Sequence, residues 1–145
     1  MPDTIQHQIG ALPYRITGAG ELEILLVTTR GTGRWIVPKG WPMPGMSDSK
    51  AAAQEAYEEA GVLGQVGLRP IGTFLHEKQA DDGHAGTRSR VTVYPLKVTS
   101  TLSFWKEAHQ RQIGWVTPEQ ALEMVQNDEL RALIDAFAGK RKRYA

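Results

Sequence analysis

The sequence predicts a single domain of the α+β or α/β sandwich class, with helices lying on a mixed β-sheet. Three observations carry that expectation. The elements read in the order strand, strand, loop, helix, strand, strand, strand, helix; strands dominate the first third of the chain; and 145 residues with 41% hydrophobic content suffice for one core but not two. A folded chain of this size buries roughly 70% of its unfolded surface, so it needs no disulfide or structural zinc.

Glu21 to Thr29 is rich in branched residues between Gly20 and Gly31 and reads as a mostly buried strand. A short extended piece, Arg34 to Val37, follows. Pro38, Gly40, Pro42, Pro44 and Gly45 then crowd together, and no regular element is expected among them. Ser47 or Asp48 can cap a helix that continues to Ala60, where Gly61 is placed to stop it. Gln65 to His76 and Ser89 to Thr99 read as strands, Pro95 marking a bulge or an edge position in the second. The polar segment Glu77 to Arg88 between them reads as a surface loop. Gln112 to Val116 is the last strand. Thr117-Pro118-Glu119-Gln120 has the form of a capping box, and the helical stretch after it carries Ala121, Leu122, Met124 and Val125. Leu130, Leu133, Ile134 and Phe137 then line one face of a C-terminal helix that Gly139 is expected to close, leaving residues 140–145 as a short basic tail of a domain spanning 1–145.

Composition narrows the chemistry. There is no cysteine, which excludes a thiol nucleophile, a disulfide and a cysteine-ligated metal, so any metal sits on oxygen or histidine. A net charge of +1 gives no global pull towards nucleic acid. Apolar runs such as Ile24 to Val27 fall far below the ~20 residues that span a bilayer. Met1 to Gly10 lacks the basic and apolar regions of a signal peptide. The expectation is a soluble cytoplasmic protein whose partner is a small molecule, and no heptad run or apolar stripe speaks to its oligomeric state.

Glu55, Glu58 and Glu59 follow i, i+3, i+4 spacing and share one face of the central helix. Three glutamates on a helix are commonly a solvated face, but these lack basic neighbours at three or four positions' distance. Glu58 and Glu59 also stand in the last turn, where the helix dipole disfavours anions. A hard divalent cation, Mg²⁺ or Mn²⁺, removes both objections and completes its shell with substrate phosphates. The loop before the helix agrees, because its glycines admit close backbone approach and Lys39 brings positive charge to a phosphate chain.

These residues resemble the Nudix family. Its box is a glycine, five residues, Glu, seven residues, then Arg-Glu-aliphatic-X-Glu-Glu-X-Gly-aliphatic, and Gly40 to Val62 aligns with it without a gap. Met46 stands for the first glutamate and Gln54 for the arginine, two positions to which the resemblance assigns a brace between loop and helix. Outside the box, Leu25 to Arg30, Trp35 to Gly40, Arg90 to Tyr94, Trp105 and Trp115-Val116-Thr117 are similar to the diphosphoinositol polyphosphate and diadenosine polyphosphate hydrolase branch. The resemblance implies an α/β/α sandwich, with a mixed sheet between helices, and metal-dependent hydrolysis of a phosphoanhydride bond in a nucleoside or inositol diphosphate. It implies that Glu55, Glu58, Glu59 and the Gly40 carbonyl hold metal, with Glu58 or Glu59 as base on the attacking water.

By the same alignment Arg30, Lys39, Arg88 and Arg90 would meet substrate phosphates, the alternative for each being a solvated strand end. His76, Glu77 and His84 could add a metal ligand or base, and Glu77 suits a second Mg²⁺ best. Trp41 and Trp105 could stack on a base or inositol face, or pack. The Lys140 to Arg143 run is either a polyanion patch or a frayed terminus. Two rival functions stay open: a nucleotide or inositol-pyrophosphate sensor with weak chemistry, and a pyrophosphohydrolase acting on RNA 5′ ends.

Overall fold

In the computed structural model residues 4–78 and 86–144 are described, with side chains to residue 141. They form one mixed eight-stranded sheet built on β1 (Ile5–Ile16) and β7 (Thr87–Thr101), which run parallel from Ile5 opposite Arg88 to Tyr14 opposite Lys97. β2 (Leu22–Thr28) returns antiparallel to the end of β1 and carries the short β3 (Trp35–Ile36). β4 is only Lys39–Gly40, pinned beside Ile9 and Gly10 of β1. The proline and glycine crowd thus does contain a strand, kept to two residues by its punctuation.

Helix α1 (Asp48–Ala60) is capped as its sequence predicts. The Ser47 hydroxyl accepts from the Lys50 amide, and Gly61 adopts φ 66°, its N–H bonding to the Tyr57 carbonyl. Downstream, the single strand expected over 65–76 is two, β5 (Val62–Val66) and β6 (Gly72–Lys78), with Arg69 and Pro70 between them. Both pair antiparallel with β7, β5 from Leu96 onwards and β6 up to Val93. Pro95 falls in the gap between those two ladders, so on that side no strand requires the N–H it lacks; it is inside the sheet, not at its edge. The bulge lies elsewhere, between Leu63 and Gly64, opposite Val98 and Ser100.

β8 (Ile113–Val116) lines up beside β2, and Thr117 and Gln120 close the capping box of α2 (Pro118–Met124). Helix α3 (Asp128–Tyr144) runs straight through Gly139, which ends nothing. A mid-helix glycine costs about 1 kcal/mol. Burial of Phe137 and Ala138 on one side, and Arg141 stacked on the Tyr14 ring at 4.4 Å beyond, outweigh that cost. The expected loose basic tail is therefore the last turn of a docked helix. Helix α1 packs on β1, β4 and β5, while α2 and α3 pack together on β2, β8 and β6, which makes the sandwich. The core between the layers is aliphatic, with Ile24, Leu25, Leu26, Val27, Leu96 and Ile134 fully enclosed.

Candidate active site

The site forms where β4 crosses the middle of α1. Register against β1 presents Lys39 and Gly40 to that helix, and the glycine lets the chain come close. A Cβ at position 40 would stand 2.3 Å from the Glu55 carboxyl carbon. One turn later Glu59 is 4% exposed, its Oε2 accepting from the Lys39 amide at 3.2 Å. The Glu55 and Glu59 carboxyls also lie close enough to each other to interact through a side-chain hydrogen bond. Burial raises both carboxyls, and Glu59 rises to about 9 although the Arg111 guanidinium pulls the other way.

Glu58 points elsewhere. Its Oε2 accepts from Gln54 at 2.9 Å and its Oε1 pairs with Lys106 at 3.4 Å, so basic neighbours absent from the local sequence arrive through the fold. Among the described residues no three carboxylate or imidazole side chains stand together as a metal-holding group. The oxygen-only pair of Glu55 and Glu59 against the Gly40 backbone nevertheless fits a hard cation. A buried and a half-buried carboxyl held this close, both raised by burial, are what a divalent charge relieves.

The expected cationic residues separate into two groups. Lys39 lies at the pair, its Nζ donating to Gln8 at 3.0 Å, and burial lowers its pKa, with Glu59 opposing. Arg30 lines a polar cavity of about 390 Å³ together with Thr28, His109, Gln110 and Arg111, and its NH1 donates to Gln110. Arg90 is instead tied to Glu129 of α3 at 3.3 Å, and Arg88 stands in register with Glu77 between β1 and β6. On β6, His76 and Lys78 are near enough to act electrostatically on Lys39. Glu77, one position out of phase, projects from the opposite side of the strand. Burial, then Lys39, pushes His76 down to about 4. His84 lies outside the described residues. Trp41 stands 53% exposed, whereas Trp105 packs on Gly61 and donates to the Glu59 carbonyl at 3.1 Å.

Sequence reasoning missed Arg111. Its guanidinium is nine-tenths buried, with NH2 on Glu107 at 2.7 Å and NH1 shared between the Thr28 carbonyl at 3.1 Å and Glu59 at 3.4 Å. Its Nε is the one buried side-chain polar atom without a partner among the described residues. In sequence it sits in an unremarked polar run, and only tertiary folding gives it partners.

A family profile described as "NUDIX domain" matches residues 7–137. "Nudix hydrolase 21, chloroplastic" of Arabidopsis thaliana is 32% identical over 140 residues, covering 92% of this chain, which spans 66% of that protein. "Diphosphoinositol polyphosphate phosphohydrolase 3-alpha" of Homo sapiens is 39% identical over 128 residues, 86% of this chain and 72% of its own. Among solved structures, the C. elegans Ap4A hydrolase superposes with TM-score 0.66 at 21% identity, covering 94% of this chain and 98% of its own, a likeness of fold. The MutT protein of Methanosarcina mazei Go1 does so with TM-score 0.69 at 21% identity, covering 98% and 99%. Family members generally use divalent ions such as Mg²⁺ and act on small phosphate compounds. No described helix is long and apolar enough to cross a membrane. With its box on α1, its mixed sheet held between helices and a profile match from β1 to α3, the chain belongs to the Nudix hydrolase family.

Proposed function

We propose that this enzyme is a divalent-cation-dependent pyrophosphohydrolase that cleaves a phosphoanhydride bond in a polyphosphate carrying a nucleoside or an inositol. The observation that carries the reading is the close approach of the Glu55 and Glu59 carboxyls to the Lys39–Gly40 backbone. Similarity to proteins named diphosphoinositol polyphosphate phosphohydrolase, and a fold shared with an Ap4A hydrolase, support the substrate class.

Glu55, Glu59 and the Gly40 carbonyl would hold Mg²⁺ or Mn²⁺, which when bound supplies positive charge to the phosphate chain. The Glu59 carboxylate would take a proton from water as the new water oxygen–phosphorus bond forms and the bridging oxygen–phosphorus bond breaks, the leaving phosphate keeping the bridging oxygen. Glu58, held by Gln54 and Lys106, is the competing base. Arg30 and Lys39 would meet the substrate anion, Arg111 lining the cavity with Arg30 and acting electrostatically on Lys39; Arg90 serves α3, and Glu77 adds a ligand only if β6 turns it inward.

The test is product release from diadenosine polyphosphates, diphosphoinositol phosphates, nucleoside diphosphate sugars and triphosphorylated RNA, with Mg²⁺, Mn²⁺ or chelator. We expect chelator-sensitive turnover of one of the first two classes, reduced at least about a hundredfold in Glu59→Gln and less in Glu58→Gln. Equal turnover by Glu59→Gln refutes the site. Binding without turnover establishes the sensor, and turnover of RNA alone establishes the 5′-end enzyme.

A further inference from the structure

The segment 102–112 crosses the C-terminal end of α1 and takes up carbonyls that a helix end leaves without partners. The Leu102 amide bonds the Gly61 carbonyl at 2.8 Å, the Glu107 amide bonds Glu58 at 3.1 Å, and the Trp105 indole N–H bonds Glu59 at 3.1 Å. Each donor lies some forty or more positions further along the chain. The same segment reaches the side chains of that turn, through Lys106 on Glu58 and Arg111 on Glu59. Beneath it the Trp105 ring covers Gly61 so closely that a Cβ there would stand 2.4 Å from the ring.

Within the box no side chain reaches the Glu59 carbonyl of this turn as Trp105 does. Met46 is exposed, and Gln54 spends its amide on Glu58. The last turn of α1 carries Glu59 and ends at the Gly61 that Trp105 covers, so the hold from this segment acts where Glu59 is positioned.

We propose that Trp105 is a positioning residue for cation binding: its indole N–H fixes the backbone of Glu59, and so the reach of the Glu59 carboxyl towards Glu55. The inference rests on the proposed cation seat. It takes Trp105 off any substrate-stacking surface and gives this segment a role that the family box does not contain. Phe104, beside it and 83% exposed, has no part in the hold.

The experiment titrates the substrate-free protein with Mn²⁺, followed by electron paramagnetic resonance, and measures urea unfolding of the metal-free protein in parallel. The variants are Trp105→Phe, Phe104→Ala, and Trp105 replaced by benzothienylalanine. The last keeps the fused ring over Gly61 and loses only the donor, so it stays informative where Trp105→Phe fails to fold. Loss of one hydrogen bond is expected to weaken Mn²⁺ binding about three- to tenfold in the benzothienyl protein, with Phe104→Ala binding as the parent. Unchanged Mn²⁺ affinity in the benzothienyl protein, even with a lower urea midpoint, overturns the proposal and leaves Trp105 a packing residue. A parent protein that takes no Mn²⁺ overturns the cation seat first, and this inference with it.

Discussion

At the scale of single residues the site depends on a missing methyl group. An alanine Cβ at position 40 would fall on the Glu55 carboxyl, the movable end of a flexible side chain and not the backbone. Gly40→Ala should therefore cost little stability while driving Glu55 out of the pair. We expect its melting temperature within a few degrees of the parent and Mn²⁺ affinity lower by about tenfold or more, read by calorimetry. Glu55 and Glu59 were legible in the sequence because they are spaced for one helix face, whereas Gly40 came only from the resemblance to the family box. Glu58 shares that spacing, yet its carboxylate goes to Lys106, and Arg90 goes to Glu129. Partners that remote have no signature in local spacing, which is also why Arg111 and Glu107 escaped notice.

At the scale of elements α1 is the part its sequence specifies most fully, and Gly61 is the position where two demands coincide. It needs φ 66°, and it needs no side chain under Trp105. A left-handed alanine alone costs about 1–2 kcal/mol, and the ring must move as well. Gly61→Ala should thus lower the urea midpoint by more than Gly40→Ala does, which equilibrium unfolding of the two proteins compares directly. Strand β1 is the opposite case. Its sequence IQHQIGALPYRI carries Gly10 and Pro13 and does not alternate, so nothing in it reads as a strand. It is a central strand with both faces covered from Gln8 to Pro13, which removes the alternation. Gly10 is there because a Cβ would stand 2.9 Å from the Pro38 carbonyl, on the stretch that delivers β4. The division of residues 62–78 into β5 and β6 was signalled by Pro70 and outweighed by the apolar residues around it.

At the scale of the molecule the buried Glu59 carboxyl sets how stability varies with pH. The folded state raises the Glu59 pKa from 4.5 to about 9, so over that interval the metal-free fold keeps a proton that the unfolded chain has released. This contribution is fully present below the unfolded pKa and is lost as pH rises through the folded one. The metal-free protein should lose stability between pH 5 and about 9, and saturating Mg²⁺ should reverse the trend by favouring the carboxylate. Thermal melts across that range with chelator or Mg²⁺ provide the check. Glu59→Gln in chelator should flatten the slope, and an unchanged slope in that variant would assign it to another group.

The parallel pairing of β1 with β7 also governs how the chain is made. Ile5 must find Arg88 and Tyr14 must find Lys97, with β2 to β6 and α1 all lying between them in sequence. During synthesis β1 leaves the ribosome well before its principal partner exists, an apolar strand with one long edge open. The sheet cannot close from the N-terminal half alone, and the proposed cation seat, which hangs from β1 through β4, gains its contacts with Trp105 and Arg111 only after the second half of the chain has arrived. Folding of this enzyme is thereby committed to a late, long-range closure, slower than its short hairpins would allow and most exposed to misassembly just before it occurs.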